Sequence, residues 1–116
     1  MATLDVTTHE RPDGGAQLEL AGELDLASAS KLDEELRRVE AGRPSLVVVD
    51  LQRLRFMDSS GLRVLLSADS RARDEGRRLV LVRGDQRVQK VLTITRLDER
   101  LEIVDDPESI AAEQPG

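Results

Sequence analysis

The sequence contains no cysteine, tryptophan or tyrosine, and it has a single phenylalanine. Without cysteine the chain can form no disulfide bond, thiolate nucleophile or cysteine-ligated zinc site. Because aromatic residues are nearly absent, the core has to be built from Leu, Val, Ile and Ala. The same lack removes the stacking platforms on which single-stranded nucleic acids bind. Thiol chemistry and base stacking are therefore excluded.

Long apolar runs and basic tracts are also missing. No stretch approaches the roughly 20 apolar residues that a membrane-spanning helix needs, and the N-terminal MATLDVTTHERPD lacks the layout of a signal peptide. The formal net charge is −6, and the 17 basic residues are scattered. Direct binding to DNA or RNA is disfavoured because phosphate neutralisation dominates that affinity. We therefore expect a cytoplasmic protein that binds neither nucleic acid nor membrane.

The length and composition fit one globular domain. The chain has 116 residues, of which 39% are hydrophobic and 34% charged, as is typical of a folded domain with a modest core. We expect a single domain over residues 1–112 and a disordered C-terminal tail over 113–116. No coiled-coil heptad pattern is present, which favours a monomer when the protein is free.

The pattern of apolar residues predicts an α/β fold, with a small, mostly parallel mixed sheet of about five strands and about four helices. Strands are predicted at 4–8, 17–21, 45–51, 79–82 and 101–104. Helices are predicted near 27–41 and 59–75, then after the capping residue Asp85, and last after Asp106-Pro107. The run SLVVVDL at 45–51 is typical of a strand covered on both faces.

The segment from Phe56 to Leu62 lies between a predicted buried strand and an amphipathic helix. Its residues Asp58, Ser59 and Ser60 are all of types that cap helices. A helix that begins there directs free N–H groups and a partial positive charge at this point. An anionic group on Ser59 would be well accommodated, although Asp-Ser-Ser-Gly taken alone is more often an ordinary cap.

Three segments together resemble the bacterial STAS family of anti-sigma factor antagonists. They read GELDLASASKLDEEL at 22–36, LVVVDLQRLRFMDSSGLRVLL at 46–66 and GRRLVLVRGDQRVQKVL at 76–92, and they match the family in motif, order and spacing. The resemblance covers roughly residues 4–112. It implies a STAS-like fold and a binding module rather than an enzyme, with no cofactor of its own.

The resemblance also implies a phosphorylation switch. The unphosphorylated family member binds an anti-sigma factor serine kinase with an ATP-binding fold, and the sigma factor is released. The kinase then phosphorylates the first serine of the motif, here Ser59, and a metal-dependent serine phosphatase removes the phosphate. The partner supplies ATP, Mg²⁺ and the catalytic base. A phosphate beside Asp58 would place like charges in the contact surface and weaken binding.

By the same resemblance, the partner-binding residues are Asp25, Asp58, Ser60 and Gly61, around the phosphoacceptor Ser59. Asp58 would orient the serine and contact the kinase, whereas the two residues after it would shape the helix entry. The residue types leave other roles open. The aspartate at 25 equally suits capping or dipole support of the first helix, and the glycine suits close backbone approach.

Two positions depart from the commonest family pattern. Arg63 occupies a position where a small residue often follows the leucine, and Thr95-Arg96 replaces a small residue and glycine before Leu97. Neither position belongs to the predicted core. We expect these departures to alter which partner fits rather than the fold.

Other functions are compatible with parts of the sequence. Asp50, expected near the carboxyl end of its strand, could accept phosphate as in a receiver domain. Such a domain has one strand before its first helix and a lysine on its last strand, whereas here two strands come first and the last predicted strand has no lysine. A hydrolase would need a base near Ser59, and the one histidine, His9, belongs to the first predicted strand. Glu23, Asp25, Asp50 and Asp58 could hold Mg²⁺ if they met, although solvated caps are favoured.

A further alternative keeps the STAS fold and changes its role. The chain would then be a scaffold without a switch, or a subunit of a lipid-transport complex. The sequence does not separate these roles from that of an antagonist.

Overall fold

A five-stranded sheet in the order β1-β2-β3-β4-β5 forms the centre of the computed structural model, which describes residues 3–110. The strands are β1 (Leu4–Glu10), β2 (Ala16–Leu24), β3 (Leu46–Met57), β4 (Arg78–Val82) and β5 (Glu102–Val104). β1 is antiparallel to β2, and all other neighbours pair in parallel. The predicted mixed, mostly parallel sheet is confirmed.

Three α-helices connect the strands: α1 (Ala29–Glu40), α2 (Ser59–Glu75) and α3 (Gln86–Ile94). Two short 3-10 helices follow at Leu97–Glu99 and Pro107–Ile110. Within residues 3–110, every helix is too short or too polar to cross a bilayer. The tail predicted at 113–116 lies outside the described residues, as do residues 1, 2, 111 and 112 of the predicted domain.

The ends of α2 and α3 follow from local signals. α2 ends at Gly76, whose φ of 72° is a left-handed conformation that glycine adopts readily. Asp85 caps α3 by accepting a hydrogen bond from the Arg87 N–H, as predicted. The fourth predicted helix begins as expected, with Asp106 accepting a hydrogen bond from the Ser109 N–H at 2.9 Å, but its described part, Pro107–Ile110, is a 3-10 helix.

The three helices cover one face of the sheet and enclose the main core. Alternate residues of the central strands, such as Val47 and Val49, pack there with the apolar stripes of the helices. On the opposite face Val48, Val80 and Val82 are buried beneath Ile110 of the last 3-10 helix. The third strand is therefore covered on both faces, as its apolar run predicts.

β3 extends past its apolar run, and two β-bulges explain why its second half was not predicted. Between the pairs Glu19↔Asp50 and Ala21↔Arg53 the third strand has one extra residue, and it gains another before Phe56. Each bulge breaks the alternation by which a strand is recognised in a sequence. The expectation that Asp50 lies near the carboxyl end is therefore wrong, because the strand continues to Met57.

Arg96, just after α3, has a left-handed backbone. Its φ is 63° and its ψ is 19°, a conformation in which a β-carbon costs about 1–2 kcal/mol. At the surface its guanidinium lies 3.8 Å from the Glu99 carboxylate, and exposed pairs of this kind contribute little to stability. The departure from the family pattern at this position therefore introduces backbone strain.

We expect Arg96→Gly to raise the free energy of unfolding by about 1 kcal/mol, because glycine adopts this conformation without steric cost. Urea denaturation followed by circular dichroism measures the change. Arg96→Ala is the matched control, since it removes the same charge but keeps the β-carbon, and it should leave stability nearly unchanged. Equal stabilisation by both variants would show that charge, not backbone strain, is responsible.

Candidate functional site

The parallel pairing of β2 with β3 joins the two family-like motifs at the carboxyl end of the sheet. Leu24 is opposite Met57 in the register, and the Asp58 N–H donates to the Leu24 carbonyl at 3.2 Å. The turn that follows β2 therefore lies beside the start of α2. The structure places Asp25 and Ser59, which are distant in sequence, at the same end of the molecule.

Asp58 forms the N-cap of α2. Its backbone is extended, and its carboxylate accepts hydrogen bonds from the N–H groups of Ser60, at 2.8 Å, and Gly61, at 3.4 Å. Its carbonyl accepts the first helical bond, from Leu62 at 3.2 Å. These contacts satisfy donors that would otherwise lack partners at a helix start. The cap fixes where α2 begins, and it does so without using the side chain of Ser59.

Ser59 is the first residue of α2, and its side chain is exposed to solvent. In the described part of the chain its hydroxyl has no hydrogen-bond partner. Ser60, next to it, is half-buried. The hydroxyl at 59 is thus accessible, and no existing contact has to be broken before a modifying group approaches it.

Gly61 is buried where α2 crosses the ends of β2 and β3. A β-carbon built on it would lie 2.6 Å from Leu24 Cγ and 2.9 Å from Met57 Cγ. Both side chains belong to the core, so neither can move away easily. The structure therefore gives this glycine the role of close approach that the sequence left open.

The side chain of Asp25 organises the turn before α1. Its Oδ1 accepts hydrogen bonds from the N–H groups of Ala27, at 3.0 Å, and Ser28, at 3.2 Å. The Ser28 hydroxyl in turn donates to the Glu23 carbonyl at 2.9 Å. This local role accounts for the residue type, and contact of Asp25 with a partner stays a prediction.

Two large apolar side chains are exposed at the same end of the sheet as Ser59, and the apolar pattern of the sequence predicted neither. Leu26 lies in the turn after Asp25 and is 80% exposed, and Phe56, near the end of β3, is 46% exposed. Leu26 lies between the buried strand residue Leu24 and the helix. A large apolar residue inside a turn was the sequence signal that could have indicated this exposed surface. We call Leu26 and Phe56 the apolar pair.

Ser59 has no histidine beside it that would activate it as a nucleophile. His9 lies near the end of β1 and pairs with Gln17, whereas the start of that antiparallel strand, Leu4, pairs with Gly22 near the site. The histidine is therefore at the opposite end of the sheet. Within this chain the serine can accept a group from another molecule, but a Ser-His arrangement does not form.

Asp50 lies apart from the other carboxylates that could have formed a metal site. It is buried in the middle of β3, opposite Glu19. Burial raises the pKa of its carboxyl, and the charges of Glu19 and Glu108 raise that pKa further. Within residues 3–110, no group of three or more His, Cys, Asp or Glu side chains is arranged to hold a metal ion.

Comparison with known proteins places this geometry in context. A family model described as "Mlab, STAS domain" matches residues 7–105. The anti-sigma-F factor antagonist RsfB of Mycobacterium tuberculosis is 33% identical over 82 residues, which cover 71% of this chain and 65% of that protein, just under two thirds of its length. The anti-sigma-B factor antagonist of Listeria monocytogenes is 29% identical over 100 residues, covering 86% of this chain and 88% of that protein.

A solved structure shares the fold. The anti-sigma factor antagonist SpoIIAA, in its unphosphorylated form, matches with a TM-score of 0.77 at 20% identity, over 93% of this chain and 95% of that one. The Bacillus cell fate determinant SpoIIAA in its phosphorylated form matches with a TM-score of 0.72 at 20% identity, over 93% of this chain and 98% of that one. These likenesses establish the architecture of the sheet and helices.

We expect Gly61→Ala to lower the free energy of unfolding by about 1–3 kcal/mol, because its methyl group overpacks a fixed part of the core. The higher helix propensity of alanine offsets part of this loss. Chemical denaturation measures the change. Gly42→Ala is the control, since its β-carbon would lie 3.5 Å from the Val39 carbonyl oxygen, an ordinary contact. Equal stability of Gly61→Ala and wild type would contradict the packing described for α2.

Proposed function

The chain belongs to the STAS domain family, and we propose that it acts as an anti-sigma factor antagonist whose phosphoacceptor is Ser59. In this proposal the unphosphorylated protein binds an anti-sigma factor serine kinase in the cytoplasm, and the sigma factor is released. The observation that carries the proposal is the exposed, unbonded hydroxyl at the start of α2. The names of the two curated relatives support the same role.

The proposed docking surface is the end of the sheet around Ser59. The apolar pair is exposed there, and burial of such a side chain contributes about 1.5–3 kcal/mol. Because about 1.4 kcal/mol corresponds to a tenfold change in affinity, the pair could anchor a partner of matching shape. Asp25 and Asp58 would supply charge at the rim of this surface, and Ser60 and Gly61 would fix its shape.

In the proposed reaction the kinase transfers the γ-phosphoryl group of its ATP to Ser59. A bond forms between the serine Oγ and the γ-phosphorus, the bond from that phosphorus to the β–γ bridging oxygen breaks, and ADP leaves. The hydroxyl proton passes to a base of the kinase, which also brings Mg²⁺. A metal-dependent serine phosphatase would hydrolyse the phosphoserine with water and release inorganic phosphate.

Phosphorylation would prevent binding without unfolding the domain. α2 is capped by Asp58, so the helix keeps its start when Ser59 is modified. Phosphoserine carries about −1.5 to −2 charge at neutral pH, and it would be desolvated beside the Asp58 carboxylate in any complex. A buried charge that the complex leaves unpaired costs about 3–5 kcal/mol, which corresponds to a weakening of binding by roughly two to four orders of magnitude.

We expect Ser59→Ala to abolish phosphorylation by the cognate anti-sigma factor kinase but to retain binding, because only the acceptor oxygen is lost. Ser59→Asp should weaken binding at least tenfold because it adds a charge at the contact. Radiolabelled ATP measures transfer, and calorimetry with the purified kinase measures affinity. The kinase is sought first among the genes adjacent to the one encoding this chain.

Ser60→Ala is the matched control for these variants and should still be labelled. Labelling of Ser59→Ala to the wild-type level would disprove the assignment of the acceptor. If the kinase bound the wild-type chain but labelled no serine, the chain would act as a STAS scaffold without a switch. If it bound no anti-sigma factor at all, a role in another assembly, such as a lipid-transport complex, would replace the proposal.

A second experiment tests the docking surface. Leu26→Ser and Phe56→Ser should each weaken kinase binding about tenfold or more, because each removes most of the apolar area of one anchor. Ile94→Ser is the control: Ile94 is 68% exposed, but α3 joins the parallel strands β4 and β5, so its C-terminal end lies away from the site. An equal effect of all three variants would contradict a localised docking surface.

A further inference from the structure

Arg63 lies one helical turn after Ser59 on the surface of α2. The two residues have i and i+4 spacing, which brings their β-carbons to within about 5–6 Å on one face of a helix. Arg63 is exposed, and within residues 3–110 its guanidinium has no hydrogen bond or ion pair. Many other arginines of the chain are paired with carboxylates, as Arg71 is with Glu40. This unpaired cation is therefore positioned beside the proposed phosphoacceptor.

The backbone donors of the first turn of α2 are largely occupied. The Asp58 carboxylate accepts from Ser60 and Gly61, and the Asp58 carbonyl accepts from Leu62. A phosphate on Ser59 could take these N–H groups only by displacing the cap. The compensating charge for a phosphate has to come mainly from a side chain.

The charges around Ser59 single out Arg63. Three acidic residues lie at this end of the sheet, Glu23, Asp25 and Asp58. The last two are bonded to backbone N–H groups, and all three would repel a phosphate. No acidic residue lies in the first turn of α2 to compete for the guanidinium. Arg55 lies in the preceding strand β3, whereas Arg63 is on the same helix as Ser59.

We propose that Arg63 is the intramolecular partner of phosphorylated Ser59, donating two guanidinium N–H groups to two phosphate oxygens. This inference rests on the proposed phosphorylation. Bidentate pairing of this kind is the strong form of arginine–phosphate contact. It would hold the phosphate against the surface of α2 in the free protein, with Asp58 still capping the helix. Arg63 is one of the positions at which this chain departs from the family pattern, and the proposal gives it a role in the phosphorylated state.

The test uses the full chain with phosphoserine inserted at position 59 during translation, so that no kinase is needed. Titration of the phosphate by phosphorus NMR, in wild type and in Arg63→Ala, compares its second pKa. That pKa, ordinarily about 6, should be lower by about half a pH unit, roughly a threefold change in proton affinity, when Arg63 is present. The difference should shrink in 1 M salt, where the screening length is about 3 Å.

Two control variants sharpen the measurement. Arg87→Ala removes one exposed positive charge from α3 and should leave the phosphate pKa at its wild-type value. Arg63→Lys keeps the charge but loses the planar pair of N–H donors, and it should restore only part of the difference. Identical titrations of wild type and Arg63→Ala, with both folds verified by nitrogen–proton correlation spectra, would overturn the pairing. Because the phosphate is inserted without a kinase, this result is independent of whether the proposed kinase labels Ser59.

Discussion

The parallel contact between β2 and β3 is the constraint on which the site depends. This pairing brings Leu24 to the position where its carbonyl accepts a hydrogen bond from the Asp58 N–H. The close fit of Gly61 against the same leucine then sets the direction of α2. Without this pairing the exposed serine and the turn that contains Leu26 would have no fixed position relative to each other. A surface assembled from two distant segments thus depends on main-chain geometry more than on any contact between the functional side chains.

Local signals were sufficient to predict most of the fold. The limits of α2 and the cap of α3 follow from residues within one turn of each helix end, namely Asp58, Gly76 and Asp85, so a short window of sequence contains the information. The bulges of β3 could not be predicted in this way. They depend on the register with β2, and that register is decided by packing between residues far apart in sequence.

The candidate site also combines features that local sequence predicts with features that depend on long-range packing. The motif and the helix period together predicted that Ser59 begins a helix, and its exposure follows from that position. The apolar pair was missed because a single leucine in a turn or phenylalanine in a bulged strand has no periodic pattern that marks it as surface. The role of Asp25 was left open because a carboxylate before a helix can equally bond its own turn or a partner. Its bonds to Ala27 and Ser28 come from a turn geometry that residue types alone do not define.

The separation of cap and hydroxyl between Asp58 and Ser59 has a consequence for how long the protein persists. Proteases act mainly on opened chains, so degradation follows the free energy of opening when opening is rapid. If the exposed serine were also the cap, any change of its charge would alter that free energy and with it the abundance of the protein. Because the neighbouring aspartate holds the helix instead, the two charge states are expected to have similar lifetimes. The ratio between them would then report enzymatic input rather than selective turnover.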